Sequence, residues 1–410
     1  MQKRALVVGL GIAGMSTAIS LRRAGWTPVI IERAPERRTG GYFIFLFPEG
    51  VKATVDLDIA KHLHTRNPGN HPNKPGGKTW EMTRRGKRKP TLGCLDVPEG
   101  QAAVLRGDIE AALWQGLNGD GTEDPVEVRF ATTPVEFDEG ADEVRVLLED
   151  AKTGTRYRES FDLVVGADGM RSSVRRMVFG PDEDFMVNWD SMICAFQLKE
   201  QVPSFDETDT IVVARAKRAV WVFGMADRAP CAWVTYRTKD VKNQFTGSPV
   251  ERLRSVFAGM DDPVVRHVLD SMEEAPEYVF DSIHQVKMPR WRTRRIALVG
   301  DAAWCMNTYS AMGSSSSLRG GAALGAALRQ HPDDLDAGLD AWETGLRPYI
   351  TKQQNSARQK QQRFVPSSRR MEVVRWAVLG LARRIVDRML AAKAKAAIAS
   401  PASASSGTTG

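Results

Sequence analysis

Three glycines open the chain's most chemical stretch, Gly9-Leu10-Gly11-Ile12-Ala13-Gly14, and an acid, Glu32, follows it. A turn this tight needs a residue without a side chain. So does a backbone that approaches a pyrophosphate, and so does a helix packed closely on a strand. A helix starting at Ile12 and Ala13 offers free N–H groups and the positive end of its dipole to phosphate. Glu32 can accept hydrogen bonds from ribose hydroxyls, which favours an unphosphorylated adenosine ribose and hence FAD or NAD over NADP.

Two further segments repeat the theme of an apolar strand ending in Gly and Asp. Residues 162–175 carry Asp168-Gly169 and later Arg175, and residues 295–303 carry Gly300-Asp301. An aspartate at such a strand end can accept from a ribityl or ribose hydroxyl, while the glycine lets the backbone close on the ligand.

The elements that position these residues follow from pattern. Residues 4–8 read as a buried parallel strand, 12–24 as a helix and 28–31 as a second strand, which together make a βαβ unit. Buried strands recur at 163–167 and 295–299. Helices are expected near 52–64, at 107–117, at 316–330 and over most of 333–398. Residues 126–130, 144–149 and 155–161 suggest a three-stranded meander. Alternating stretches between 190 and 238 suggest an antiparallel sheet with one face covered. Gly86 marks a hairpin turn between 79–83 and 90–95, and 400–410 is a small polar tail expected to be disordered.

With 410 residues, 42% of them hydrophobic and 26% charged, the chain has room for two or three domains around a cofactor. Its net charge of +7 gathers in Arg84-Arg85-Gly86-Lys87-Arg88-Lys89 and in the last fifty residues. The first cluster reads as a solvated hairpin tip, and no nucleic-acid partner is expected. Cys94, Cys194, Cys231 and Cys305 form no C-x-x-C pair, and His62, His64 and His71 lack carboxylate partners, so neither a disulfide scaffold nor a metal site is expected. The apolar start resembles an export signal, but three regular glycines and the following acid fit a cofactor site better. No other apolar run is long enough to span a bilayer, which leads to the expectation of a cytoplasmic protein without membrane insertion. Residues 371–395 suggest a basic amphipathic helix, with Val374, Val378, Leu381 and Ile385 apolar and Arg375, Arg383, Arg384, Arg388 and Lys393 charged. Docking on a neighbouring domain is favoured for it over a membrane surface.

By motif order and spacing over residues 3–345, the sequence resembles the class A flavoprotein monooxygenases of the p-hydroxybenzoate hydroxylase type. The resemblance implies an α/β fold. A discontinuous Rossmann-like FAD domain of the glutathione-reductase type would comprise 1–77, 98–185 and 280–345. An antiparallel substrate sheet would comprise 78–97 and 186–279, with a helical cover at 346–398 and the tail at 399–410. It implies that Gly9, Gly11, Gly14, Glu32 and Arg33 hold the ADP half of FAD, with Ile12 and Ala13 at the helix start. Arg106 would contact FAD. Asp168, Gly169 and Arg175 would serve both FAD and NAD(P)H, and Asp301 beside Gly300 would meet the ribityl chain. Gly313, Ser314 and Ser315 would place N–H groups at the flavin pyrimidine edge.

The stretch 38–44, with Gly41, resembles the loop of the tetracycline-inactivating and polyketide-tailoring subgroup, which lies along the flavin. Trp304, Thr308 and Ala311 depart from the family, which commonly has His or Tyr, then proline, then glycine. A loop less constrained without the proline is expected, with Trp304 adding bulk near the flavin.

The implied reaction is NAD(P)H-dependent hydroxylation through a flavin C4a-hydroperoxide, with O₂ as co-substrate and no catalytic dyad required. An aromatic or polyketide-like small molecule is the expected substrate, acted on by a monomer or homodimer. Trp221, Phe223, Trp233 and Tyr236 alternate in the antiparallel sheet and could wall its pocket, although core packing explains them equally. His284 could orient a phenol, with a core or surface role the plainer reading. Alternatives are a reductase, an oxidative cyclase, a halogenase (though no W-x-W-x-I-P sequence is present), or a flavin-holding protein without turnover.

Overall fold

A computed structural model describes residues 3–67, 77–93, 100–119 and 124–399, with the side chains of 390–399 excepted. His71, Cys94 and the 400–410 tail lie outside these.

Five parallel strands form the first sheet, in the order Ile296–Leu298, Leu163–Gly166, Arg4–Val8, Thr27–Glu32 and Glu127–Phe130. The central three are almost wholly apolar, as strands covered on both faces must be. Helix Ile12–Arg23 crosses from strand Arg4–Val8 to strand Thr27–Glu32 and packs on helix Gly313–Gln330. That contact is close because it is built on small residues. A β-carbon at Gly321 would lie 2.4 Å from the Ser16 hydroxyl, and one at Gly325 2.1 Å from that of Ser20. Ser20 donates to the Ala322 carbonyl across the same seam.

The expected meander is corrected. Thr132–Glu139, Val144–Asp150 and Thr155–Phe161 form it, while Glu127–Phe130 joins the parallel sheet beside Thr27–Glu32. Ala131, at φ 52°, turns the chain from one sheet to the other.

The second large sheet has seven strands, in the order Tyr278–Val286, Met186–Gln197, Cys231–Arg237, Arg218–Phe223, Thr210–Arg215, Thr79–Met82 and Arg88–Pro90. Only the Thr210–Arg215/Thr79–Met82 pairing is parallel. One face is covered by helices Pro249–Phe257 and Pro263–Glu273, each with proline in its first turn after a capping Ser248 or Asp262. The other face carries Trp221, Phe223 and Trp233 and packs on Phe43 and Phe45 of strand Phe43–Leu46. That strand lies within residues 40–77, whose Gly-, Pro- and Asn-rich composition reads as irregular from sequence. Two domain breaks are also corrected: residue 280 falls inside the sheet's edge strand Tyr278–Val286, and 346 falls inside the single helix Leu335–Phe364.

Helix Arg369–Ala399 ends the described chain. Buried Arg375 anchors it, pairing with Glu81 of the sheet and donating to the Arg363 carbonyl, with its guanidinium 5.9 Å from the Trp221 ring centroid. The docking reading therefore holds for one face of this helix. Among the described residues, no helix is long and apolar enough to cross a membrane.

Candidate FAD and substrate site

The carboxyl ends of the parallel strands open into a cavity of about 470 Å³. Open α/β sheets bind ligands at this edge. Gly9, at φ 106°, donates its N–H to the Ile31 carbonyl, and a β-carbon there would lie 2.7 Å from the Ala167 oxygen. A β-carbon at Gly14 would lie 1.9 Å from the Gly9 oxygen. At Gly11, by contrast, the nearest atom is a guanidinium nitrogen of Arg106 at 4.0 Å. The three glycines thus do three jobs: Gly9 makes the turn, Gly14 lets helix and turn touch, and Gly11 leaves ligand-sized space open.

Glu32 lines the cavity and accepts from the Leu10 N–H at 2.9 Å and the Ala34 N–H at 2.8 Å. Each carboxylate oxygen keeps a lone pair for a ribose hydroxyl. Arg106 begins helix Arg106–Asn118, pairs with Glu110 at 2.8 Å and faces the same space. Burial pushes the Glu110 carboxyl above the usual carboxylate range, against the pull of Arg106.

Helix Gly313–Gln330 also turns its N-terminus to the cavity, and Gly313 and Ser314 line it. Two helix N-termini therefore converge on one space, each presenting unpaired N–H groups. Asp301 lies between them. Burial raises its pKa, with Arg106 opposing. Gly300, at φ 68°, brings it there, since a β-carbon on Gly300 would meet Ala13 at 2.6 Å.

Of the expected residues, Gly9, Gly11, Ile12, Ala13, Glu32, Arg33, Arg106, Asp168, Gly169, Asp301, Gly313, Ser314 and Trp233 line the cavity. Others stand behind the wall. Gly41 presses on the start of the Arg106 helix, where a β-carbon would lie 2.8 Å from the Gly107 nitrogen. Ser315 accepts from the Phe47 N–H. Asp168, although on the wall, spends both carboxylate oxygens on Ser172, Ser173 and Val174.

Arg175 is corrected outright. It is fully buried and donates to the Ala302 and Met170 carbonyls and to Asp182.

The aromatic set divides. Trp233 faces the cavity with Tyr42 at 6.4 Å, edge to face, whereas Trp221 and Phe223 pack behind it in the sheet core. Tyr236 points through the opposite face and donates to Gln244. Strand parity carries that signal, since positions 233 and 236 differ by an odd number.

Trp304 also turns away from the cavity, packing at a tilt against Trp291 and Trp342. His284 is half-buried and not on the wall, and burial lowers its pKa. Among the described residues no cluster of His, Cys, Asp or Glu could hold a metal.

The loop after Trp304 is more ordered than expected without proline. Asn307 Oδ1 accepts from the Ser310 N–H at 3.0 Å, and the Ser310 hydroxyl donates to the Asn307 carbonyl at 2.9 Å and accepts from the Met312 N–H at 3.2 Å. Lys360 donates to the Ser310 carbonyl, and the Tyr309 hydroxyl meets Thr235 at 2.8 Å. Two residues carry positive φ without being glycine: Asn307 at 64° and Ala311 at 55°. Together with Tyr42 and Met306, they are wall residues that sequence pattern alone does not single out. The nearest signal is the family glycine that Ala311 replaces.

The model of a family described as an FAD binding domain matches residues 71–354. The chain belongs to this family. It is a class A FAD-dependent monooxygenase, an oxidoreductase. A flavin-dependent monooxygenase from an unknown prokaryotic organism is 25% identical over 85% of this chain and 86% of its own length. The FAD-dependent monooxygenase asL6 of Sarocladium schorii is 26% identical over 86% of each. Among solved structures, the tetracycline destructase Tet(51) superimposes with a TM-score of 0.72 at 22% identity, covering 94% of this chain and 98% of that one. Klebsiella pneumoniae HpxO complexed with FAD and uric acid gives 0.73 at 18% identity, covering 94% and 95%.

The residues of the monooxygenase fit its cofactor. The open space over Gly11 would take the pyrophosphate of FAD, Glu32 would accept from its adenosine ribose, and Asp301 from its ribityl chain.

Proposed function

We propose that this monooxygenase uses NAD(P)H and O₂ to hydroxylate a planar aromatic or polyketide-like small molecule, as a tailoring step in natural-product metabolism in the cytoplasm. One observation carries the substrate class: Trp233 and Tyr42 present an aromatic wall to the cavity on the side of the antiparallel sheet. Planar ligands stack on such walls.

When bound, FAD supplies the two-electron reduction and the dioxygen chemistry that no side chain can. The chain's residues do the rest. The N-terminus at Gly313 and Ser314 turns N–H dipoles to the cavity, where they would favour negative charge on a bound flavin. Asp301 would accept a hydrogen bond from a hydroxyl of the cofactor's ribityl chain. The sheet's apolar face, backed by Trp221, Phe223 and Phe364, keeps water from the reacting carbon. Tyr42 remains a neutral phenol, because burial raises its pKa.

The test is turnover of the FAD-loaded enzyme with NADH or NADPH, a panel of phenols and polyketides, and ¹⁸O₂. Label in the product supports hydroxylation. Flavin reduction with every substrate but no labelled product rejects it and leaves the fold assignment standing.

A further inference from the structure

Two basic stretches far apart in sequence meet in space. Arg84 of the hairpin pairs with Glu372 at 2.7 Å, and the Lys89 ammonium lies 4.4 Å from the Trp376 ring centroid. The C-terminal helix docks through Glu372, Arg375 and Leu379. That docking leaves a second face bare. Val374, Val378, Leu381, Ile385 and Met389, spaced by four, three, four and four residues, are each between 49% and 60% exposed. At about 100° per residue they form one stripe along the helix.

The next flank of the same helix holds Arg370, Arg384 and Arg388, and the adjoining hairpin tip holds Arg85 and Lys87. All five are exposed, and none has an ion-pair partner among the described residues. An apolar stripe bordered by unpaired cations is the composition of a helix lying in the plane of a membrane interface. A second copy of the chain would set cation against cation along the seam. An anionic surface neutralises them.

We infer that the hairpin tip and the C-terminal helix form a docking face for anionic phospholipid, with the apolar stripe entering the interface and the arginines meeting headgroup phosphates.

Full-length, FAD-loaded enzyme is sedimented with vesicles of phosphatidylcholine alone or mixed with phosphatidylglycerol, at low and at physiological salt. The enzyme is expected to pellet with the mixed vesicles, to stay in solution with phosphatidylcholine, and to bind less as salt rises. Each arginine removed in Arg384→Ser/Arg388→Ser is expected to weaken partitioning about fivefold. Leu381→Glu/Ile385→Glu is expected to abolish it, with the flavin spectrum retained in both variants. Failure of the wild-type enzyme to bind mixed vesicles at low salt overturns the inference without recourse to any variant. So does a wild-type dimer that leaves vesicles alone and dissociates in Leu381→Glu/Ile385→Glu, which assigns the stripe to a second copy.

Discussion

The buried guanidinium of Arg175 donates to the carbonyl of Ala302 at 2.9 Å, tying the Asp168-Gly169 turn to the helix that Asp301 begins. Two cofactor-facing segments more than a hundred residues apart are thereby held in register by a side chain that never reaches the cavity. Arg175→Met strands two carbonyls and Asp182. It is expected to cost about 3 kcal/mol of stability, seen as a lower Tm. FAD affinity should fall with it, because both walls shift together.

Gly11 and Gly14 are expected to separate binding from folding. Gly11→Ala places its methyl in open space, so the apoprotein should melt normally while FAD affinity falls tenfold or more by order of magnitude. Gly14→Ala drives a methyl into the Gly9 carbonyl, so the apoprotein itself should melt lower. Calorimetry of both apoproteins, alongside flavin titration, checks the contrast.

Ala311 holds a left-handed backbone, which costs an L-residue roughly 1–2 kcal/mol. Ala311→Gly removes that strain against a smaller loss in chain entropy. The variant should be as stable as the parent, or more stable by up to about 1 kcal/mol. A clear drop in Tm counts against the strain.

Asp301 has its folded-state pKa raised by burial. A carboxyl so raised binds its proton more tightly folded than unfolded. Its contribution therefore turns unfavourable as pH climbs from the ordinary aspartate range through the raised value. Asp301→Asn is expected to raise the Tm of the apoprotein at neutral pH, with the gain vanishing at acidic pH. FAD affinity should fall at the same time. Melting curves across pH decide it.

Trp233 and Tyr236 sit on opposite faces of one strand. Trp233→Ala is expected to raise KM for an aromatic substrate about tenfold or abolish turnover. Tyr236→Phe, which loses one hydrogen bond to Gln244, should cost about 1 kcal/mol of stability and leave KM alone. Steady-state kinetics on both variants tests which face meets substrate.

What could be read from sequence was local. The βαβ unit needs only about thirty consecutive residues, and the demand on Gly14 arises within it, whereas the close approach at Gly9 comes from Ala167, far along the chain. Arg175 reads as a ligand residue through the resemblance of its motif, and nothing local in the sequence marks its true partner Ala302, which is distant in the chain. Glu127–Phe130 reads as part of the meander because a short, half-exposed strand carries no mark of the sheet it joins. Tyr236 was grouped with Trp233 although strand parity already separates them. The order in the loop from Asn307 to Met312 comes from Ser310, whose hydroxyl does by hydrogen bonding what a proline ring does by covalent restraint.

The pairing of Glu81 with Arg375 bears on how the molecule is made. Glu81 is among the first residues of its sheet to leave the ribosome, and its counter-charge is nearly three hundred residues behind. Until that arginine emerges, the buried acid lacks the partner it pairs with in the finished fold, so the sheet cannot close in its final form. The last helix is in this sense the closing stitch of biosynthesis, and a chain released before it should be a substrate for chaperones and proteases.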